Sequence, residues 1–286
     1  MEEVNFLSKP KEKTNILGLG VFDGFHLGHQ ELANKCDALM TFYPHPEFVL
    51  HDKTTLKLLT TLDERKDIFS KIFIIEFTKE FSRLSASDFL NQVIKKQIGP
   101  KKIVVGYDFS FGHNREGNIP FLKEWGKKNN IEIECVEPHT YNGKIVKSSY
   151  IRDCLKEGAF KEAISYLGHP YLIKGAVVKG ENRGHKMGFP TANISVSYKK
   201  LVPACGVYKG HVLYKNKQLP AAIYIGNKPT FGNYDRQIEV YILDFNDSIY
   251  GEIISIELTE KIRSEKQFKT EEDLITQIKK DIKNVG

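Results

Sequence analysis

Two clusters of residues have the types and spacing to do chemistry on phosphates. Gly20–His29 reads GVFDGFHLGH and Gly180–Asn193 reads GENRGHKMGFPTAN. In the first, Gly20, Gly24 and Gly28 let backbone amides approach an anion. A helix that follows them offers free N–H groups and the positive end of its dipole. His26 and His29 stand three apart, so around the first helical turn they share one face. Two imidazoles there can donate to triphosphate oxygens. In-line nucleotidyl transfer needs positioned phosphates and donors that meet charge developing on the α-phosphate and the leaving pyrophosphate. Two histidines near glycines are also ordinary turn residues. The context favours the site: the apolar run Asn15–Val21 precedes the motif, a helical pattern follows it, and Asp23 lies within it.

The second cluster is a glycine-rich, basic loop of the kind that closes over phosphates, with Gly180, Arg183 and Gly188 in it. Pro190 stiffens the turn after it and aims Thr191 and Asn193. A hydroxyl and an amide oxygen are hard ligands that suit Mg²⁺, which takes few protein ligands alongside nucleotide phosphates. Downstream, Glu239 opens an alternating strand pattern, EVYILDF. A carboxylate there can accept a hydroxyl proton during phosphoryl transfer, or it is an ordinary outward strand carboxylate. A third set, Ser148, Ser149 and Arg152 in SSYIR, places hydroxyls and a guanidinium at a helix start. It reads either as a phosphate clamp or as a plain helix cap with a surface arginine. Only seven arginines occur; Arg152 and Arg183 fall inside these segments, Arg115 in HNREG and Arg263 in RSEKQF.

The elements that must hold these residues follow from periodicity. Strands are expected at Asn15–Val21, Ala38–Phe42, Ile72–Phe77, Lys102–Gly106 and Ile131–Val136. Helices are expected at His29–Lys35, Leu62–Lys71, Ala86–Gln97 with Ser85 as its cap, and Phe121–Asn130. Such alternation predicts a doubly wound parallel sheet, with ligands at the carboxyl ends of its strands. A helix interrupted near Gly158 follows. From Tyr171 to Leu258 come short β-rich runs (YLIKGAVV, GVYKGHVLY, LPAAIYIG, IEVYILDF, EIISIEL), as in a small antiparallel barrel. A last helix, Glu271–Lys283, puts Leu274, Ile275, Ile278 and Ile282 on one face.

Composition narrows the class. The 286 residues suffice for two cores. No apolar run approaches the roughly 20 residues of a membrane helix. The opening MEEVNFLSKPKEK lacks a secretory apolar core, so the cytoplasm is expected. Cys36, Cys135, Cys154 and Cys205 are far apart, which argues for reduced thiols rather than zinc or disulfides. Net charge is +6, but its lysine pairs at 95–96, 101–102, 127–128, 199–200 and 279–280 are scattered rather than gathered into a nucleic-acid patch. Small-molecule partners are expected, without nucleic acid or membrane, in a monomer or weak homo-oligomer.

GVFDGFHLGHQ resembles the ATP-binding signature of the HIGH-type nucleotidyltransferases, and specifically of bacterial bifunctional riboflavin kinase/FAD synthetases. TFYPHP (Thr41–Pro46), LSASDFL (Leu84–Leu90), VGYDFSFG (Val105–Gly112), HNREG and SSYIR agree in order. From Gly175 to about Asp281 the chain resembles the riboflavin kinase module, with PTAN as its most specific mark. The resemblance implies a Rossmann-like α/β nucleotidyltransferase domain over 1–168 and a β-barrel kinase domain with a terminal helix over 169–286. It implies ATP and Mg²⁺, with riboflavin, FMN and FAD as substrates and products. His26 and His29 would bind ATP phosphates, and Gly20, Phe22, Asp23, Gly24 and Gly28 of the motif would line the cofactor site. Asp108 would lie near adenylyl transfer, and Ser148, Ser149 and Arg152 would contact phosphate. Thr191 and Asn193 would hold ATP–Mg²⁺, and Glu239 would be the base. Arg263 would order the flavin side or sit in a surface salt bridge. Phe22, Tyr107, Phe109 and Phe111 are either flavin walls or core.

Two departures stand out. Against the family's serine–serine–threonine before isoleucine–arginine, Ser149 takes the threonine place and Lys147 the first serine. Only eleven residues separate His29 from Thr41, so the first helix is expected to be clipped. Three rival readings remain: a single-activity adenylyltransferase with a ligand-binding barrel, a basic nucleic-acid-binding module, and a non-catalytic flavin-binding regulator.

Overall fold

The computed structural model describes residues 2–4, 13–51, 54–69, 71–180, 184, 187–230 and 233–286. The chain packs as two compact units. The first takes Met1–Lys57 and Arg65–Lys147, the second Leu58–Glu64 and Ser148–Gly286.

The first unit is built on a six-stranded sheet in which every pairing is parallel. Its strands are β1 (Glu2–Val4), β2 (Ile16–Leu19), β3 (Ala38–Tyr43), β4 (Ile72–Glu76), β5 (Lys102–Gly106) and β6 (Glu132–Val136), in the order β1-β4-β3-β2-β5-β6. The chain steps outward from β2 through β3 to β4, then returns to the other side of β2 with β5. The order therefore reverses between β2 and β5, and in open α/β sheets the crevice outside the carboxyl ends of such a pair is where ligands bind. The near-continuous apolar runs in β3 and β5 suit strands covered on both faces. Leu17, Met40, Ile75, Ile103 and Val105 are buried with Leu90, Val93, Ile94 and Leu122 in one core.

Helix α1 (Leu27–Ala33) is seven residues long, α2 is Pro46–Leu50 and α3 is Leu62–Ile68. The expected helix after Ser85 forms: the Ser85 hydroxyl accepts from the Asp88 amide at 3.0 Å. This α4 (Ala86–Asp88) runs on through Phe89–Ile98 with π-helical bonding. Helix α5 is Ile119–Asn129, capped by Asn118. In this unit β1, the proline-started α2, and the hairpin of β7 (Thr140–Tyr141) and β8 (Lys144–Ile145) lie outside the sequence expectations, as does the strand Ala192–Ser195 of the second unit.

In the second unit, β9 (Tyr171–Val178), β10 (Ala192–Ser195), β11 (Gly206–Tyr214), β12 (Lys217–Thr230), β13 (Asn233–Ile242) and β14 (Ile253–Ser264) close a barrel in the order β10-β13-β12-β11-β14-β9. All its pairings are antiparallel. Alternate residues turn inward, as closure requires: Tyr171, Ile173, Ile223, Ile225, Ile238, Val240, Ile256 and Leu258 are buried. Helices α6 (Ser148–Glu157) and α7 (Phe160–Leu167) belong to this unit, and the Phe160 ring meets that of Tyr208 edge-on at 4.9 Å. Helix α8 (Glu271–Lys283) closes the chain; its deepest residue is the charged Asp281, while the predicted apolar face is half-buried.

A buried ion pair ties residues 58–64 into this unit. Lys200 donates to Glu64 at 2.8 Å and to the Leu59 and Leu172 carbonyls at 2.6 Å each. Glu64 accepts from the Thr61 and Lys174 amides.

Candidate active sites

At the carboxyl end of β2 the chain turns through Phe22 (φ 54°), Gly24 (φ 87°) and Phe25 (φ 41°). Only Gly24 takes that left-handed backbone without a Cβ penalty. Phe22 anchors the turn, being 2% exposed with its ring edge-on to His29 at 5.4 Å. Asp23 and His26 are buried in the same turn, and Gly20 and Gly28 flank it.

His26 is the N-cap of α1, and its Nδ1 accepts from the His29 amide at 3.4 Å. That bond assigns the neutral His26 ring an N–H at Nε2. The two rings stack with centroids 3.6 Å apart and planes 14° apart, so the three-residue spacing does bring them to one face. Burial first, then the neighbouring His26 and Arg65, hold His29 well below the usual imidazole range. A neutral His29 can offer an anion an N–H but no net charge.

Arg65 is the residue sequence reasoning missed here. It is 3% exposed, and its Nη1 donates at 2.8 Å both to the Val21 carbonyl and to the Thr41 hydroxyl. Thr41 also donates to Val21 O at 2.9 Å. The turn that carries the histidines is thus fixed to TFYPHP from below. No local spacing signals a contact across 44 residues.

Asp108 is exposed in the turn leaving β5, on the other side of the switch point. That loop is closed by reciprocal backbone bonds between Phe111 and Gly117 at 3.0 and 2.9 Å. Phe111 is buried in the core, and Phe109 stacks on it at 5.4 Å. Arg115 is held by Ser110 at 2.8 Å. Ser148, Ser149 and Arg152 occupy the first turns of α6 in the second unit.

On the barrel, Asn193 of β10, Glu239 of β13 and Tyr224 of β12 stand directly opposite one another across neighbouring strands. Their side chains therefore share a face. Thr191 donates to Glu239 Oε2 at 3.1 Å. Gln237, a second residue the sequence reading passed over, donates from Nε2 to Asn193 Oδ1 at 3.1 Å and to Glu239 Oε1. Its position two before Glu239 on an alternating strand is the signal that could have found it.

A Cβ at Gly180 would lie 2.0 Å from Asn193 Nδ2, so any side chain there must displace the Asn193 amide. Gly188 (φ 84°) and Pro190 shape the turn into β10. Arg183 lies outside the described residues. Burial, and the Glu265 carboxylate that accepts from its hydroxyl at 2.6 Å, push the Tyr224 phenol above its usual range. Arg263 is not free for a ligand: Nε and Nη2 make a two-pronged pair with buried Asp281 at 2.9 and 2.8 Å to Oδ2. Among the described residues no group of three or more His, Cys, Asp or Glu could hold a metal ion, and all four cysteines are free.

The family model of FAD synthetase matches residues 8–150 and that of riboflavin kinase matches 167–286. The chain belongs to the bifunctional riboflavin kinase/FMN adenylyltransferases. It is 34% identical to the protein of that name from Bacillus subtilis (strain 168), over 96% of this chain and 92% of the relative. To that of Escherichia coli (strain K12) it is 32% identical, over 97% and 94%. A crystal structure described as a macrolide-efflux protein from Streptococcus pneumoniae superposes with a TM-score of 0.87 at 28% identity, over 99% of this chain and 98% of that one. The chain is a transferase with a kinase half and a nucleotidyltransferase half. No described helix is long and apolar enough to cross a membrane.

Proposed function

We propose that the barrel phosphorylates riboflavin with Glu239 as base and that the first unit transfers AMP from ATP to the resulting FMN through His26 and His29. The observation that carries this reading is the convergence of Thr191, Asn193 and Glu239 on one barrel face. In the kinase step the riboflavin 5′-hydroxyl gives its proton to Glu239 as its oxygen bonds the γ-phosphorus. The bond from that phosphorus to the bridging oxygen breaks, and its electron pair leaves with ADP. In the second step an FMN phosphate oxygen displaces pyrophosphate from the α-phosphorus of ATP, and N–H groups of the two histidines meet the phosphate oxygens. Asp108 and the turn glycines border the adenylylation crevice. Ser148, Ser149 and Arg152 are our candidate donors to nucleotide phosphate.

The donor set on the barrel fits Mg²⁺: a hydroxyl and an amide oxygen, both hard oxygens, beside the nucleotide phosphates. Thr191 and Asn193 would hold it. When bound, the ion neutralises phosphate charge. The division of activity along the sequence that we propose is adenylylation over 1–168 and kinase over 169–286, although residues 58–64 and the helices α6 and α7 pack in the barrel's unit; the protein works in the cytoplasm on ATP and flavins.

Incubation with riboflavin, ATP and Mg²⁺, with flavins separated by chromatography, should show FMN rising before FAD. FAD from supplied FMN, but no FMN from riboflavin, would instead make the barrel a ligand-binding accessory.

A further inference from the structure

We propose that Gln237 is a positioning residue of the kinase site, which sets both the carboxylate of Glu239 and the amide oxygen of Asn193. The inference rests on the reading of Glu239 as the base. Gln237 and Glu239 lie on the same face of β13, two residues apart. Opposite Gln237 on β12 stands Gly226, which has no side chain of its own and is covered by the ring of Tyr224. The Gln237 amide reaches along its own strand to Glu239 Oε1 and diagonally to Asn193 Oδ1 on β10. Thr191 holds the other carboxylate oxygen at 3.1 Å.

Two consequences follow. A carboxylate with a donor on each oxygen cannot rotate about its last bond, so the lone pair left to take the hydroxyl proton points one way. An amide whose oxygen accepts from Gln237 keeps that oxygen on the Gln237 side and its nitrogen on the Gly180 side. Glutamine does both as a neutral group. A lysine or arginine here would favour the charged carboxylate and weaken it as a proton acceptor.

The test is a double-mutant cycle on the full chain with riboflavin, ATP and Mg²⁺, reading kcat and KM for FMN formation. Gln237→Leu keeps the bulk and removes the donor. We expect it to lower kcat roughly 10²-fold, the cost of misplacing a reacting group by about 1 Å, with KM for riboflavin little changed. In a Glu239→Gln background the same substitution should cost almost nothing further, because its target is gone. Gln237→Asn should restore part of the rate.

An equal loss in both backgrounds, or a wild-type rate for Gln237→Leu, overturns the proposal and leaves the base assignment standing. A wild-type rate for Glu239→Gln alone overturns the base assignment and the proposal with it. Circular dichroism melts of each variant check the fold. If Gln237→Leu does not fold, Gln237→Thr, too short to reach both partners, takes its place in the same cycle.

Discussion

Replacing Lys200 with methionine should destabilise the second unit severely. Both side chains of the Lys200–Glu64 pair are fully buried, at 0% exposure. The ammonium has three oxygen partners within 2.8 Å and sits 4.3 Å over the Tyr171 ring. Methionine fills the stem's volume but takes the ammonium away from the Glu64 carboxylate and from the Leu59 and Leu172 carbonyls. Removing one partner of a buried pair costs about 3–5 kcal/mol, against a total stability of about 5–15 kcal/mol. With a urea slope near 2 kcal/mol per molar, the midpoint should fall by roughly 2 M. Urea unfolding followed by circular dichroism, with hydrogen exchange of barrel amides, reads it. Glu64→Gln added to Lys200→Met removes the stranded charge and should recover at least about 1 kcal/mol. A single variant within about 1 kcal/mol of wild type, or a double variant no better than the single, would refute the reasoning.

Two further outcomes follow from the sites. His29 has its folded pKa depressed, so below about pH 6.5 the unfolded chain takes up a proton that the folded chain refuses. Its contribution is therefore whole above that pH and lost as pH falls. Urea midpoints read by Trp125 fluorescence should drop between pH 7.5 and 5.5 in wild type and drop less in His29→Phe; equal drops would exclude His29 as the cause. Gly180→Ala drives a Cβ into Asn193, and should cut FMN formation while sparing adenylylation of supplied FMN. Unchanged FMN formation would show that the Asn193 amide need not stay where it is.

Much of this was legible locally. The three-residue spacing of His26 and His29 places them on one face of any helical start, and their rings do stack. The period-2 runs from Tyr171 onward gave strand limits that match β9 and β11 to the residue. What was not legible depends on sequence separation. Arg65 under the turn that carries His26 and His29, and Lys200 on Glu64 across 136 residues, leave no periodic trace. Phe22 and Phe25 take left-handed backbone that their residue types do not advertise. Arg263 looked equally fit for a flavin or a salt bridge, and only the burial of Asp281 on α8 shows what it holds.

The central claim is that two separate chemistries use two separate sets of residues. Its most direct measurement compares Glu239→Gln and His29→Ala, each given riboflavin or FMN with ATP and Mg²⁺, with all three flavins quantified. Glu239→Gln should lose roughly 10²–10⁴-fold in FMN formation, the usual cost of removing a general base, yet convert supplied FMN to FAD. His29→Ala should accumulate FMN from riboflavin and make no FAD. Loss of both activities in either folded variant, or FMN formation by Glu239→Gln at the wild-type rate, would contradict the account.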